Sequence, residues 1–285
     1  MKKLLGLIVL AGIIACITPD TVKAQDVLDG IYQPEHTESR RVIPYAHLRE
    51  ADVMWLKRVW RRIDMQEKIN HPMYYPETPV QGRKSLFDVI KEGIVEDGSI
   101  TAYDPGPLGD DDMFTKSFTR EEVKNILYAT DTAWSEDIET GEYTPQLVTI
   151  ETKSADVKWY DIKEEWFFDR QRSVMEVRII GICPLTAKTD ELTGEFRGYK
   201  PLFWIYFPAV RHVFVKAEVF NRTNDTERRT YEDLFWKRQF GSYITKESNV
   251  YDRGIEEYKT GLDALLEAEQ IKEKIFQMEH DLWSF

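Results

Sequence analysis

The chain has 285 residues, of which 42% are hydrophobic and 13% aromatic. That is enough apolar material for one large or two small domains, and it excludes a globally disordered chain. A formal charge of −12 excludes nucleic acid as a partner, because phosphates demand a basic footprint.

The first residues have the layout of an export signal. Lys2 and Lys3 precede an apolar run, Leu4 to Ile14, and Val22-Lys23-Ala24 offers a cleavage site, so residues 1–24 are expected to be a signal peptide. Ile13-Ile14-Ala15-Cys16 also fits a bacterial lipobox, in which Cys16 would carry lipid, and both cleavage readings stand. Under the first, Cys183 is left alone, forms no intrachain disulfide, and is expected to be buried and inert. No later stretch reaches the ~18 consecutive apolar residues that a membrane span needs.

Residues 25–40 are polar, interrupted by proline and without period, which predicts an extended N-terminal arm. In the next run Leu48, Trp55, Val59 and Ile63 recur at helical spacing, and Leu56 and Trp60 widen the stripe, so an amphipathic helix is expected. Its other face would carry Arg49, Lys57, Arg58, Arg61 and Arg62, either as a solvated strip paired locally or as a dock for an acidic partner. A proline-rich turn follows at 70–79. Ser85 with Asp88 predicts a capped helix to Glu96, Ile100 to Tyr103 a strand, and Thr119 with Glu122 a capped helix through Leu127. Asp110, Asp111 and Asp112 lack the alternate oxygens, glycine turn and distal Glu of a calcium loop and read as solvated. The acidic stretch 131–143 reads as a loop or hairpin turn before a strand at Gln146 to Glu151.

The centre of the chain is β-prone. Asp156 to Phe207 holds three apolar runs, with Met175, Val177 and Ile179 alternating against Glu176, Arg178 and Ile180, a strand expected to stop at Pro184. Strands at Leu202 to Phe207 and Val213 to Phe220 complete an antiparallel meander. Trp159, Trp166, Phe168, Phe203, Trp204 and Tyr206 would form one aromatic face. Thr230 with Asp233 caps a short helix, and Ile255 to Leu282 is helical by period. The expected fold is α+β: a central antiparallel β-meander flanked by amphipathic helices, with an extended N-terminal arm and a long C-terminal helix. Residues 41–285 would be a single domain, helix-rich over 41–150, a sheet over 151–252 and a helix over 253–285.

Catalytic motifs are absent from the sequence, and the five histidines are scattered without ligand spacing, so no catalytic residue, cofactor or metal is assigned. Two alternatives remain open. Glu164 and Glu165 beside Trp166, with Glu176 on the next strand, combine acids and aromatics as glycoside hydrolases do. Trp159, Trp166 and Trp204 would serve a periplasmic glycan-binding module as stacking platforms.

Three long runs carry a family resemblance: Arg41-Val-Ile-Pro-Tyr through Trp55, Trp60 and His71-Pro-Met-Tyr-Tyr-Pro; Ile162-Lys-Glu-Glu-Trp-Phe-Phe-Asp with Ser173-Val-Met-Glu-Val-Arg-Ile-Ile-Gly-Ile; and Pro201-Leu-Phe-Trp-Ile-Tyr-Phe-Pro. By these the chain resembles the GldN/PorN family of the Bacteroidota type IX secretion system and gliding motility apparatus. The resemblance implies a non-enzymatic structural subunit in the periplasm. Such a subunit self-associates in a ring with the outer-membrane lipoprotein GldK/PorK, at the inner face of the outer membrane. It engages the inner-membrane motor proteins GldL/PorL and GldM/PorM and supports protein secretion. The family carries over no catalytic residue. For such a subunit Arg58, Arg61 and Arg62, and Ile275, Leu282 and Trp283 of the tail, are the expected partner contacts.

Overall fold

A computed structural model describes residues 39–285 except 81, 108, 137–142, 190–194, 225 and 284–285. The signal peptide and most of the expected arm therefore lie outside the described residues. The described part belongs to one compact unit. It is α+β, built on a seven-stranded antiparallel sheet in which β2 (Ala102–Tyr103), β8 (Trp204–Tyr206), β6 (Val174–Thr189), β5 (Val157–Asp169), β1 (Val53–Asp64) and β9 (Tyr243–Glu247) lie in that order, with β7 (Phe196–Pro201) beside β6.

The central pair of strands is β5 (Val157–Asp169) and β6 (Val174–Thr189), joined by a tight reversal. Asp169 makes that turn by accepting from the backbone N–H groups of Gln171 and Arg172, and Ser173 closes it at φ 52°. Cross-strand partners share a face. The pairs Phe168–Met175, Trp166–Val177 and Glu164–Ile179 thus lie on one side with Ile162–Ile182, because a bulge at Ile180 shifts the register by one. The bulge keeps Ile179 and Ile182 in the same core.

β6 does not stop at Pro184 as expected. Pro184 falls between the stretch paired with β8 (Trp204–Tyr206) and the stretch paired with β7 (Phe196–Pro201), so the missing N–H interrupts neither ladder.

The helix expected over 48–63 is instead β1 (Val53–Asp64), which lies between β5 and β9 (Tyr243–Glu247). Residues four apart share a face in a strand as well as in a helix, so the spacing of Trp55, Val59 and Ile63 fits both. β-branched and aromatic residues favour the strand, and two acceptor strands supply its hydrogen bonds. The part expected to be helix-rich, 41–150, therefore contributes a central strand. Two further corrections follow downstream. Val213 does not begin a strand, because Phe207–Phe214 is helix α4, opened by Pro208 in its first turn and burying Phe207, Val210, Arg211 and Phe214. Nor is there one aromatic face. Trp166 and Phe168 lie on the side of Val59, whereas Trp159, Trp204 and Tyr206 lie on the other, since Trp159 and Trp166 are an odd number of positions apart.

The remaining helices are α1 (His71–Tyr74), α2 (Leu86–Val95), α3 (Arg120–Leu127), α5 (Tyr231–Trp236) and α6 (Leu262–Trp283). Ser85 caps α2, and full capping boxes open α3 at Thr119–Glu122 and α5 at Thr230–Asp233. Each is worth about 1 kcal/mol. One face of the sheet packs against α2 to α5 around Ile63, Ile162, Ile182, Phe203, Phe214 and Phe235. On the same face, α6 covers Val59 and Ile244 with Ala268, Ile271 and Ile275. The tail helix is shorter than expected, because Ile255–Glu257 is a single 3-10 turn and Gly261 (φ +59°) breaks the chain before α6.

The opposite face holds Cys183, Leu185 and Trp204 beneath Phe114. β2 (Ala102–Tyr103) is the edge of the sheet beside β8, and β3 (Tyr128–Glu136) pairs among the described residues only with β4 (Tyr143–Glu151), in a separate ribbon.

Candidate interaction surfaces

The three arginines of the expected basic strip do not form one surface. Arg58 and Arg62 project from one face of the sheet and Arg61 from the other, as alternation along β1 requires. Arg62 is 9% exposed, grips Asp161 through two hydrogen bonds of 2.7 and 2.9 Å, and stacks 3.8 Å over the Tyr199 ring. Burial lowers its pKa, but Asp161 outweighs burial and holds the guanidinium above its ordinary value. Arg61 donates to the side chain and carbonyl of Ser242, both at 2.9 Å. Arg58 pairs with Glu165 directly across the ladder and is half-buried. Strand pairing thus uses most of the charge that a helix would have left in solvent.

The tail residues divide in the same way. Ile275 is buried against the sheet, Leu282 is half-buried, and the Trp283 side chain lies outside the described residues. The exposed residues of α6 are others. Leu262 (71% exposed), Leu265, Leu266 and Phe276 (60% exposed) lie on the side turned away from Ala268, Ile271 and Ile275, with Glu269 and Glu273 between them. A helix docked by one stripe and apolar along the other has the pattern of a two-sided contact element. Periodicity alone missed this, because both stripes recur at threes and fours.

The N-terminal segment makes a further surface. It continues extended to Arg49, past the expected limit of 40. Arg40 pairs with Asp233 at 2.7 Å, the Ile43 carbonyl accepts from Arg211 at 2.7 Å, and the Ala46 carbonyl accepts from Arg178 at 2.8 Å. Tyr45 stacks on Trp236 with ring centroids 5.4 Å apart and lies under the Arg211 guanidinium. Arg211 is itself buried in an ion pair with Glu232.

The residues considered for chemistry are not assembled for it. Glu164 and Glu165 are neighbours on β5 and therefore face opposite sides of the sheet. Glu164 is fully buried, meets Arg238 at 2.9 Å and accepts from the Trp166 indole, while Glu176 pairs with Arg172. Trp204 is buried, and Trp159 packs against Tyr199 and Phe196, so neither offers an open ring. Asp112 is held by Lys163 and the Trp60 indole, and Asp111 accepts from Met113 N–H and the Thr115 hydroxyl, so these carboxylates order their own loop. Among the described residues no group of three or more His, Cys, Asp or Glu is placed to hold a metal. Cys183 is buried, and burial pushes its thiol well above the ordinary range. No helix among the described residues is long and apolar enough to cross a membrane.

Compared with known families, residues 48–284 match the family described as gliding motility associated protein GldN. A search of curated proteins returns no match.

Proposed function

The chain belongs to the GldN family of gliding motility associated proteins, and from that premise we propose that it is a non-enzymatic structural subunit. It self-associates in a periplasmic ring that supports type IX protein secretion across the outer membrane. Its partners in this reading are an outer-membrane lipoprotein of the GldK/PorK kind and, across the periplasm, motor proteins of the GldL/PorL and GldM/PorM kind. The lipoprotein holds it at the inner face of the outer membrane. The observation that carries the reading is α6, whose exposed Leu262, Leu265, Leu266 and Phe276 leave an apolar stripe on a helix already docked by its other side. Glu164 and Glu165, spent in ion pairs with Arg238 and Arg58, give no support to the enzyme alternative.

The test is co-expression of residues 25–285 with the lipoprotein, with masses read by light scattering. A stable co-complex of many subunits is expected for the wild type, and its loss for Leu265→Asp with Leu266→Asp, both of which start exposed and leave the core intact. Arg58→Glu tests the half-buried arginine of the Arg58–Glu165 pair. Reversal at Arg61 or Arg62 would not, since each holds the domain together internally. A wild type indifferent to the lipoprotein overturns the reading.

A further inference from the structure

Two strand edges of opposite charge have no partner strand among the described residues. The first is β3. The β3–β4 ribbon shares no ladder with the main sheet among the described residues and is rooted at its base. There Thr152 N–H donates to the Leu127 carbonyl at 2.7 Å, Lys91 pairs with Glu151, and the Lys91 ammonium lies 5.0 Å over the Tyr128 ring. Beyond the base each strand runs for 9 residues, about 30 Å at ~3.3 Å per residue. A lone two-stranded ribbon is marginal in water, and its outer edges present unpaired N–H and C=O groups. Pro145 blunts the β4 edge, because proline has no N–H to offer. β3 contains no proline and keeps its edge whole. β3 contains Asp131 and Glu136 and no lysine or arginine. Such an edge attracts a basic strand and repels an acidic one.

The second edge is β7. Phe196–Pro201 is paired on one side only, with β6. It contains Lys200 and no acid, and Lys188 lies across from Gly198 on the strand beside it. Lys188 and Lys200 are exposed, and Phe196 is 52% exposed, an aromatic left at a sheet margin. The other sheet margins fit less well: β2 has 2 residues and already bridges Ser117, and β9 balances Lys246 against Glu247.

We propose that β3 of one copy adds edge to edge onto β7 of a second copy, extending the main sheet of that copy by the acidic ribbon. Backbone hydrogen bonds supply the affinity of such an addition, and the opposite charges select the partner edge. Because β3 and β7 are different surfaces, the contact is heterologous and repeats from copy to copy, the geometry a ring requires. The proposal rests on the reading of the chain as a self-associating subunit and names the elements that meet.

The experiment compares four chains by sedimentation velocity over a concentration series, with circular dichroism confirming that each is folded. They are the wild type, Asp131→Lys with Glu136→Lys, Lys188→Glu with Lys200→Glu, and the chain carrying all four changes. Wild-type mass is expected to rise with concentration. Each pair of reversals should raise the concentration of half-assembly at least about tenfold, and the combined chain should return to within about threefold of wild type. Bulk charge cannot mimic this, because the acid reversals make the chain less negative and the lysine reversals make it more so, yet both are expected to weaken assembly. Assembly unmoved by either reversal, or lost without restoration in the combined chain, overturns the β3–β7 contact and leaves the ring reading standing. Loss confined to the acid reversals assigns β3 to a different surface of the second copy and overturns β7 as the edge it meets. A wild type that stays monomeric, alone and with the lipoprotein, overturns both.

Discussion

Lys163 is 3% exposed, yet its ammonium meets the Asp112 carboxylate at 3.2 Å and the Asp112 carbonyl at 2.8 Å, between the rings of Trp60 and Phe114. One residue of an acidic loop thus anchors that loop to the middle of the sheet. The two partners are unequal, because Asp112 reaches solvent and Lys163 does not. Asp112→Ala would leave a buried charge with only a carbonyl to satisfy it and should cost about 3 kcal/mol, whereas Lys163→Met removes the charge and keeps its volume and should cost under about 1 kcal/mol. Urea unfolding of both variants measures the order, and the reverse order would refute the anchor. Burial also sets the Lys163 ammonium below its ordinary 10.5, against the raising effect of Asp112. The folded chain therefore holds that proton less tightly than the unfolded chain does. Its charge costs stability at neutral pH, and the cost is relieved as pH climbs toward 10.5. Over that range the wild type should gain stability relative to Lys163→Met.

At the scale of elements, the extended segment before β1 is a strap held by its backbone carbonyls and one ring. Removing the ring with Tyr45→Ala takes away the stack on Trp236 and the seat for Arg211 while leaving the core under α5 untouched. Local opening should then dominate. Trypsin is expected to cut after Arg41 or Arg49 roughly tenfold faster, with the urea midpoint of the whole domain little changed. Equal cleavage of variant and wild type would show that the ring does not hold the strap. The strap was not legible as such beyond residue 40, because what orders it lies some 130 to 190 positions away in Arg178, Arg211 and Asp233. Local chemistry was legible where it decides structure alone. Ser85, Thr119 and Thr230 each accept from the backbone N–H three residues on, and each starts a helix. β1 was not legible, since a spacing of four satisfies both periods, and only the acids of β5 reveal why Arg58 and Arg62 belong in a strand. Of the surface residues expected from sequence, Arg58 is half-buried and Arg62 buried, while Ile275 turns inward and Phe276 beside it turns out.

For the molecule as a whole, stability is shared unequally between the two cores on one face of the sheet. The larger joins α2 to α5 to β5, β6 and β8 through many rings and branched chains. The smaller holds α6 to the sheet margin with little more than Ala268, Ile271 and Ile275 against Val59, Ile244 and Ile255. Burying the two isoleucines contributes about 4 kcal/mol, below what a domain of this kind draws on in total. α6 should therefore open before the sheet unfolds. Ile271→Ala is expected to cost 2 to 4 kcal/mol, about the whole hold on the helix. In hydrogen exchange the amides of α6 should then lose protection while those of β5 and β6 keep theirs. If both sets lost protection together, the helix would be part of one cooperative unit. An early-opening α6 would also tie assembly to stability, because a partner seated on Leu265, Leu266 and Phe276 binds only the docked helix and would restore its protection.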